Sequence, residues 1–377
     1  MNKKLLLTTT LAFVVISMFS VTINVQRAEA SDTVYIKADG SIDPPATANI
    51  TSSDNITYTL TDNIYDSVVV QRDDIILDGA GYIVQGTGIG SGIYLAGTSN
   101  VTIQNIEIRG FFEGIYLWHC RDITVSRNNI TENNKRGINL YEDCNGTTIY
   151  RNNITNNDRG IEIEDGMHMI YHNNFMGNTE HVKALVYSTN SWDNGVEGNY
   201  WDNYTGVDLD AGGDGIGDSS HVIDANNQDN DPLMGPISFF DAGTWDQVTY
   251  YVHTISNSTV SDPYFNNDDM IVGFNVTGPN DTGGFCRVAV PRELLWCEDI
   301  FDWTVRVNGT SVPIRIQEHS DYSYIYFTYS HSIQKVEIFG TGVIPEFTTW
   351  TSILLVLTVL TIVMAICRGK LLKTPIH

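Results

Sequence analysis

Glu162 and Glu164 stand two residues apart in the stretch GIEIEDG. On a β-strand that spacing turns both side chains to one face, with about 6.6 Å between their Cα atoms. Carboxyl pairs separated by roughly 5 to 9.5 Å serve glycosidic-bond hydrolysis. Arg159, just before Gly160, adds a cation suited to a uronate or to a lyase base. The three are candidate catalytic residues, although adjacent acids on an exposed strand are more commonly only solvated. A second set suits sugar binding: Tyr94, Tyr116, Trp118, Asn139, Tyr141 and Glu162 fall at equivalent points of successive sequence units. Flat rings pack on the C–H face of a pyranose while neighbouring amides and carboxylates meet its hydroxyls. A third set, Asp208, Asp210, Asp214 and Asp218, follows the spacing of calcium loops, in which carboxylates and glycine turns wrap a hard cation. Ala211-Gly212-Gly213 interrupts that spacing, and no glutamate stands at the bidentate position.

The elements that must position these residues repeat. GIYLAGTSNVTIQN, GIYLWHCRDITVSRNN, GINLYEDCNGTTIYRNN and GIEIEDGMHMIYHNN begin at Gly92, Gly114, Gly137 and Gly160, a period of about 22 to 23 residues. Apolar residues alternate with polar ones, as in Ile115, Leu117, Ile123 and Val125, and Gly or Asn-Asn marks the turns. A unit so small cannot bury its own apolar face, so the units must stack as a parallel β-helix. Alternation then puts Tyr94, Tyr116, Asn139 and Glu162 in one outward column, and Ala96, Trp118, Tyr141 and Glu164 in the next.

Outside the repeat, Lys3, Lys4, an apolar run from Leu5 and Ala28-Glu29-Ala30 read as a signal peptide over residues 1–30. Residues 31–62 form an N-terminal cap, 63–200 the β-helix and 201–236 an Asp/Gly-rich closing loop. Seven short alternating runs over 237–343 suggest an immunoglobulin-like β-sandwich. Residues 344–367, apolar from Trp350 to Cys367, suit a transmembrane anchor, followed by a basic tail over 368–377. The expectation is an all-β, exported, single-pass protein with its folded part outside. A net charge of −24 argues against nucleic acid as a partner. Sequons at Asn49, Asn55, Asn203, Asn275 and Asn308 agree with export. Cys120 and Cys144 fall at matching points of successive coils, about 4.8 Å apart, within the Cα range of a disulfide. Cys286 and Cys297 could form a second bridge inside the sandwich.

The G-I-x-L and R-N-N-I-T repeat, introduced by ILDGAGYIVQG, resembles the right-handed β-helix of the NosD-like and carbohydrate-binding/sugar-hydrolase surface families over about residues 64–236. EGNYWDNYTG and GDGIGD are similar to segments that close such helices in archaeal surface proteins, and IPEF before the apolar tail resembles an archaeal anchoring signature. The resemblance implies an envelope protein that binds or organises surface glycans. Alternatives are a polysaccharide lyase or glycoside hydrolase, a structural or adhesive protein without a small ligand, and copper handling. Met167, His168, Met169, His172 and Met176 offer copper ligands, but alternation points His168 inward and Met169 outward, so they do not converge. A structural Ca²⁺ on the aspartate loop is the expected cofactor, ahead of copper.

Overall fold

The computed structural model describes residues 33–344 apart from 46, 186, 187, 210 and 211, together with Met364. Its N-terminal part is an all-β, right-handed solenoid with three parallel sheets. The first sheet stacks Val34–Ile36, Val68–Val70, Ser91–Ala96, Glu113–Trp118, Arg136–Tyr141, Arg159–Ile163 and Glu180–Ala184 in that order. Parallel pairing therefore already begins at Val34, which pairs with Val68. The second sheet includes Ile75–Asp78, Val101–Gln104, Thr124–Ser126, Thr148–Tyr150 and Met169–Tyr171. The third runs from Ile83–Gln85 through Glu107–Arg109, Asn129–Thr131, Asn153–Thr155 and Asn174–Met176 to Tyr200–Trp201.

Most of these strands are 3 to 6 residues long, and none makes a core alone. Stacked in register, Ile93, Ile115, Ile138 and Ile161 form one buried column and Leu95, Leu117, Leu140 and Ile163 another. The phase glycines have a steric cause. A Cβ on Gly92, Gly114, Gly137 or Gly160 would lie 2.7, 2.6, 2.7 or 2.5 Å from a carbonyl oxygen of the next coil, so no larger residue permits the stacking distance.

The Asn-Asn turns are equally specific. Asn128, Asn152, Asn173 and Asn199 are buried, and each Nδ2 donates to the Oδ1 of the next at 3.1, 3.0 and 3.0 Å. The same side chains accept backbone N–H groups and donate to carbonyl oxygens of neighbouring coils. A second ladder runs through Asn133, Asn157 and Asn178. Both satisfy turn backbone that the sheets leave unpaired, which is the requirement for burying a turn at all.

From Ile237 onward the chain is a sandwich-like pair of antiparallel five-stranded sheets. One holds Ile237–Trp245, Val248–Ser256, Gly283–Pro291, Tyr322–Ser330 and Ile314–Glu318. The other holds Thr259–Asn266, Ile271–Thr277, Gln334–Phe339, Thr304–Val307 and Thr310–Ser311. Val272, Phe274, Val288, Ile325, Phe327 and Ile338 fill the space between them.

Two expectations are corrected. No helix among the described residues is long and apolar enough to cross a membrane, which overturns the single-pass topology and the membrane as partner; the stretch taken for the anchor, like residues 1–30, lies outside the described residues apart from Ile344 and Met364. The four cysteines expected in bridges are free thiols. Equivalent side chains of stacked parallel strands point the same way, so their Cβ atoms keep the strand spacing of about 4.8 Å, beyond the 3.5–4.5 Å typical of a disulfide. The thiols turn instead onto carbonyl oxygens: Cys120 onto Trp118 at 3.4 Å and Cys144 onto Leu117 at 3.3 Å. Cys286 and Cys297 are likewise buried and unbridged.

Candidate functional site

The outward face of the first sheet carries the residues singled out for sugar binding. Tyr94, Tyr116, Asn139 and Glu162 are direct register partners in four consecutive strands, as are Trp118 and Tyr141. The Tyr94 and Tyr116 ring centroids lie 5.5 Å apart, and Tyr116 meets Tyr141 edge-on at 5.8 Å. Burial pushes the Tyr116 hydroxyl up to about 12, so it remains a neutral donor. Trp118 is the most open of the set, 37% exposed, and its indole Nε1 donates to Glu142 Oε2 at 3.1 Å.

Beside the rings runs a charged row less open than alternation alone implies. Asn139 and Glu162 face outward yet are 3% and 5% exposed, because long neighbours cover them. Arg136 bridges Glu113 Oε1 at 2.8 Å and Glu162 Oε2 at 2.5 Å, and Arg159 reaches Glu162 Oε2 at 2.7 Å and Glu180 at 2.9 Å. Asn139 Nδ2 donates to Glu113 Oε1, which leaves the buried Asn139 Oδ1 with no donor among the described residues. Burial acts to raise the Glu162 carboxyl, but the Arg136 and Arg159 hydrogen bonds prevail and hold it below the usual range. Glu164 moves the other way, raised first by burial and then by the Glu142 charge. Glu162 is thus fixed as an anion by two guanidinium groups, an arrangement that orients polar groups rather than one that passes protons.

Two imidazoles meet a carboxylate where the solenoid joins the sandwich. His172 occupies the turn after the second sheet, Glu197 the last coil, and His253 the second sandwich strand. Both histidine Nε2 atoms lie 2.9 Å from Glu197 Oε2, and Arg287 Nε donates to Oε1 at 2.7 Å. Glu197 is 0% exposed and Arg287 2%. Burial would raise Glu197, but His253 and His172 override it and hold the group well below the carboxylate range; burial lowers His253. One ligand atom from each of His172, Glu197 and His253 lies within 4.8 Å of the others, so the cluster is able to coordinate a divalent metal ion. Of these, sequence reasoning weighed only His172. Glu197 and His253 are 56 residues apart and belong to different folding units, and no spacing pattern links them.

The aspartate loop is organised by its own backbone. Asp208 accepts the amides of Asp214 and Gly215, Asp214 that of Ile216, and Asp218 that of Leu209; Asp210 lies outside the described residues. Among the described residues these carboxylates form no group of three convergent ligands. His168 is buried and accepts the Thr147 amide, while Met169 is exposed, so the histidine and methionine cluster does not converge either.

In-register coils and asparagine ladders define a parallel β-solenoid repeat protein. The chain belongs to the family described as periplasmic copper-binding protein (NosD), whose model matches residues 14–206. No curated protein matches it. Among solved structures it is similar to the enzymatically active domain of tailspike protein 2 from bacteriophage CBA120, at 10% identity and a TM-score of 0.20 over 74% of this chain and 58% of that one. It is also similar to the Pseudomonas phage phi297 tailspike, at 9% identity and a TM-score of 0.13 over 72% and 66%. The chain thus spans less than two thirds of either tailspike.

Proposed function

We propose that the outward face of the first sheet binds polysaccharide at an exported cell surface. The observation that carries this is the unbroken row Tyr94, Tyr116, Tyr141, with Trp118 at its rim, bordered by the prearranged Glu113, Arg136 and Asn139 network. Sugar C–H faces pack on the rings, and the indole Nε1 of Trp118 and the exposed Glu142 beside it meet hydroxyls at the rim. The test is retention of the full chain on a polysaccharide array. Trp118→Ala and Tyr141→Ala should each weaken retention about tenfold, the equivalent of ~1.4 kcal/mol, with the melting temperature unchanged. Undiminished retention in both variants, or no retention on any polysaccharide, refutes the assignment. Oligosaccharide release abolished by Glu164→Gln would favour a hydrolase or lyase instead.

A second function is favoured by the convergence of His172, Glu197 and His253 and by the family's description. Two imidazoles and one carboxylate suit a transition ion such as copper, whereas calcium takes six to eight oxygens. His172 Nε2, His253 Nε2 and Glu197 would hold it, and it would tie solenoid to sandwich. Arg287 already engages the carboxylate, so the metal must compete with protons and a guanidinium. Calorimetric titration of the full chain with copper and with zinc decides: no stoichiometric binding, or binding untouched by His172→Ala, removes it.

A further inference from the structure

A cleft of about 490 Å³ opens where the turn between the second and third sheets faces the first two sandwich strands. Its lining includes two arginines, a histidine and several asparagines, and no aspartate or glutamate. In a chain of net charge −24 that is an unusual concentration of one sign. Arg127 and Arg151 occupy the same turn position in successive coils, each with a left-handed backbone, φ 57° and 60°. Among the described residues the Arg151 guanidinium contacts only rings, 4.5 Å from the Phe239 centroid, 5.4 Å from that of Tyr251 and 5.6 Å from that of Tyr150. Arg127 reaches the Tyr251 hydroxyl at 3.4 Å and also Gln104. Neither forms an ion pair among the described residues, and the Nε atom of each is buried without an acceptor.

We infer that this cleft is a binding subsite for a sugar unit bearing a carboxylate. The Arg151 guanidinium, with no side-chain acceptor among the described residues, presents its Nη donors to a carboxylate, and Arg127 sets a second positive charge beside it. Tyr251 and Phe239 supply flat apolar surface for a ring, and Asn129 and Asn153, register partners on the third sheet, supply amides for hydroxyls. A peptide carboxylate would use the forks but has less need of a stacked ring and an amide column. The cleft shares no residue with the aromatic row on the first sheet, so the two sites stand or fall separately.

The test uses the full chain and three probes in calorimetry: an oligogalacturonate, its methyl ester and sulfate ion. The free acid should bind at least tenfold more tightly than the ester, and sulfate alone should bind far more weakly than the acid. Arg151→Gln and Arg127→Gln should each lower acid binding at least tenfold. Because Arg151 also contacts the sandwich, melting curves accompany both variants, and the acid-to-ester ratio on the unmodified protein stands even where a variant misfolds. Equal binding of acid and ester, no binding of the acid, or sulfate binding as tightly as the acid overturns the inference. Loss in Trp118→Ala but not in the arginine variants overturns it too and assigns the ligand to the aromatic face.

Discussion

Replacing Glu197 with glutamine removes one charge and almost no volume from the centre of the solenoid–sandwich junction. Arg287, 2% exposed, would then keep its charge with, among the described residues, a neutral amide oxygen at position 197, the Tyr324 ring at 4.2 Å, the Asp214 carbonyl at 3.2 Å and the Asp214 carboxylate at 3.9 Å, itself part exposed. Stripping one partner from a buried ion pair costs about 3–5 kcal/mol. The ring and carbonyl contacts place Glu197→Gln near the lower end, ~3 kcal/mol, a large share of the 5–15 kcal/mol that typically holds a domain folded. Urea unfolding followed by tryptophan fluorescence measures the loss. Glu197→Gln combined with Arg287→Met should recover most of it, since the uncompensated cation is then gone. The carboxyl is depressed in the folded state, so its contribution is fully present above the ordinary glutamate range and is lost as pH falls toward the folded value. A loss below about 1 kcal/mol, or a double variant no more stable than the single one, would show that Glu197 is not the anion Arg287 depends on.

Two further outcomes concern the ladders. Asp229 ends the Asn128 ladder, accepting from Asn199, Trp201 and Asp231, and burial raises it to about 7 from an ordinary 3.8. The folded state therefore binds this proton more tightly than the unfolded one, and stability should fall as pH rises from about 4 to about 7, by at most ~4 kcal/mol; Asp229→Asn should flatten that slope in thermal melts at stepped pH, and an unchanged slope counts against it. Asn152→Ala strands the buried amides and carbonyls of neighbouring coils and should cost about 3 kcal/mol in urea unfolding, whereas a loss within ±0.5 kcal/mol would make the ladder incidental.

What was legible in the chain is what recurs along it. Gly114, Gly137 and Gly160 announce the coil because each meets a neighbour's carbonyl, and Asn128, Asn152 and Asn173 recur because each turn needs the same amide. Tyr94, Tyr116 and Tyr141 could be placed on one face by counting. Contacts that occur once were not legible. Glu197 meets His253 and Arg287 across 56 and 90 residues, and Arg127 and Arg151 face Tyr251 only because the sandwich folds back on the solenoid. The burial of Glu162 lay between these cases: Arg159 was visible near it, but not that Arg159 and Arg136 would both close over it. The cysteines misled because stacking gives proximity without convergence.

The phase glycines also set a unit of length. Within the sheets each coil pairs with the coil before and after it, so a coil inserted between Gly92 and Gly114, ahead of the coils that meet the sandwich through Arg127 and Arg151, would lengthen the outward row by one rung, about 4.8 Å, and leave both ends of the solenoid untouched. Span along the ligand is then a quantity that duplication or deletion there can change in whole steps while the solenoid–sandwich contacts stay in place. The fold behaves as a ruler with the strand spacing for its graduation.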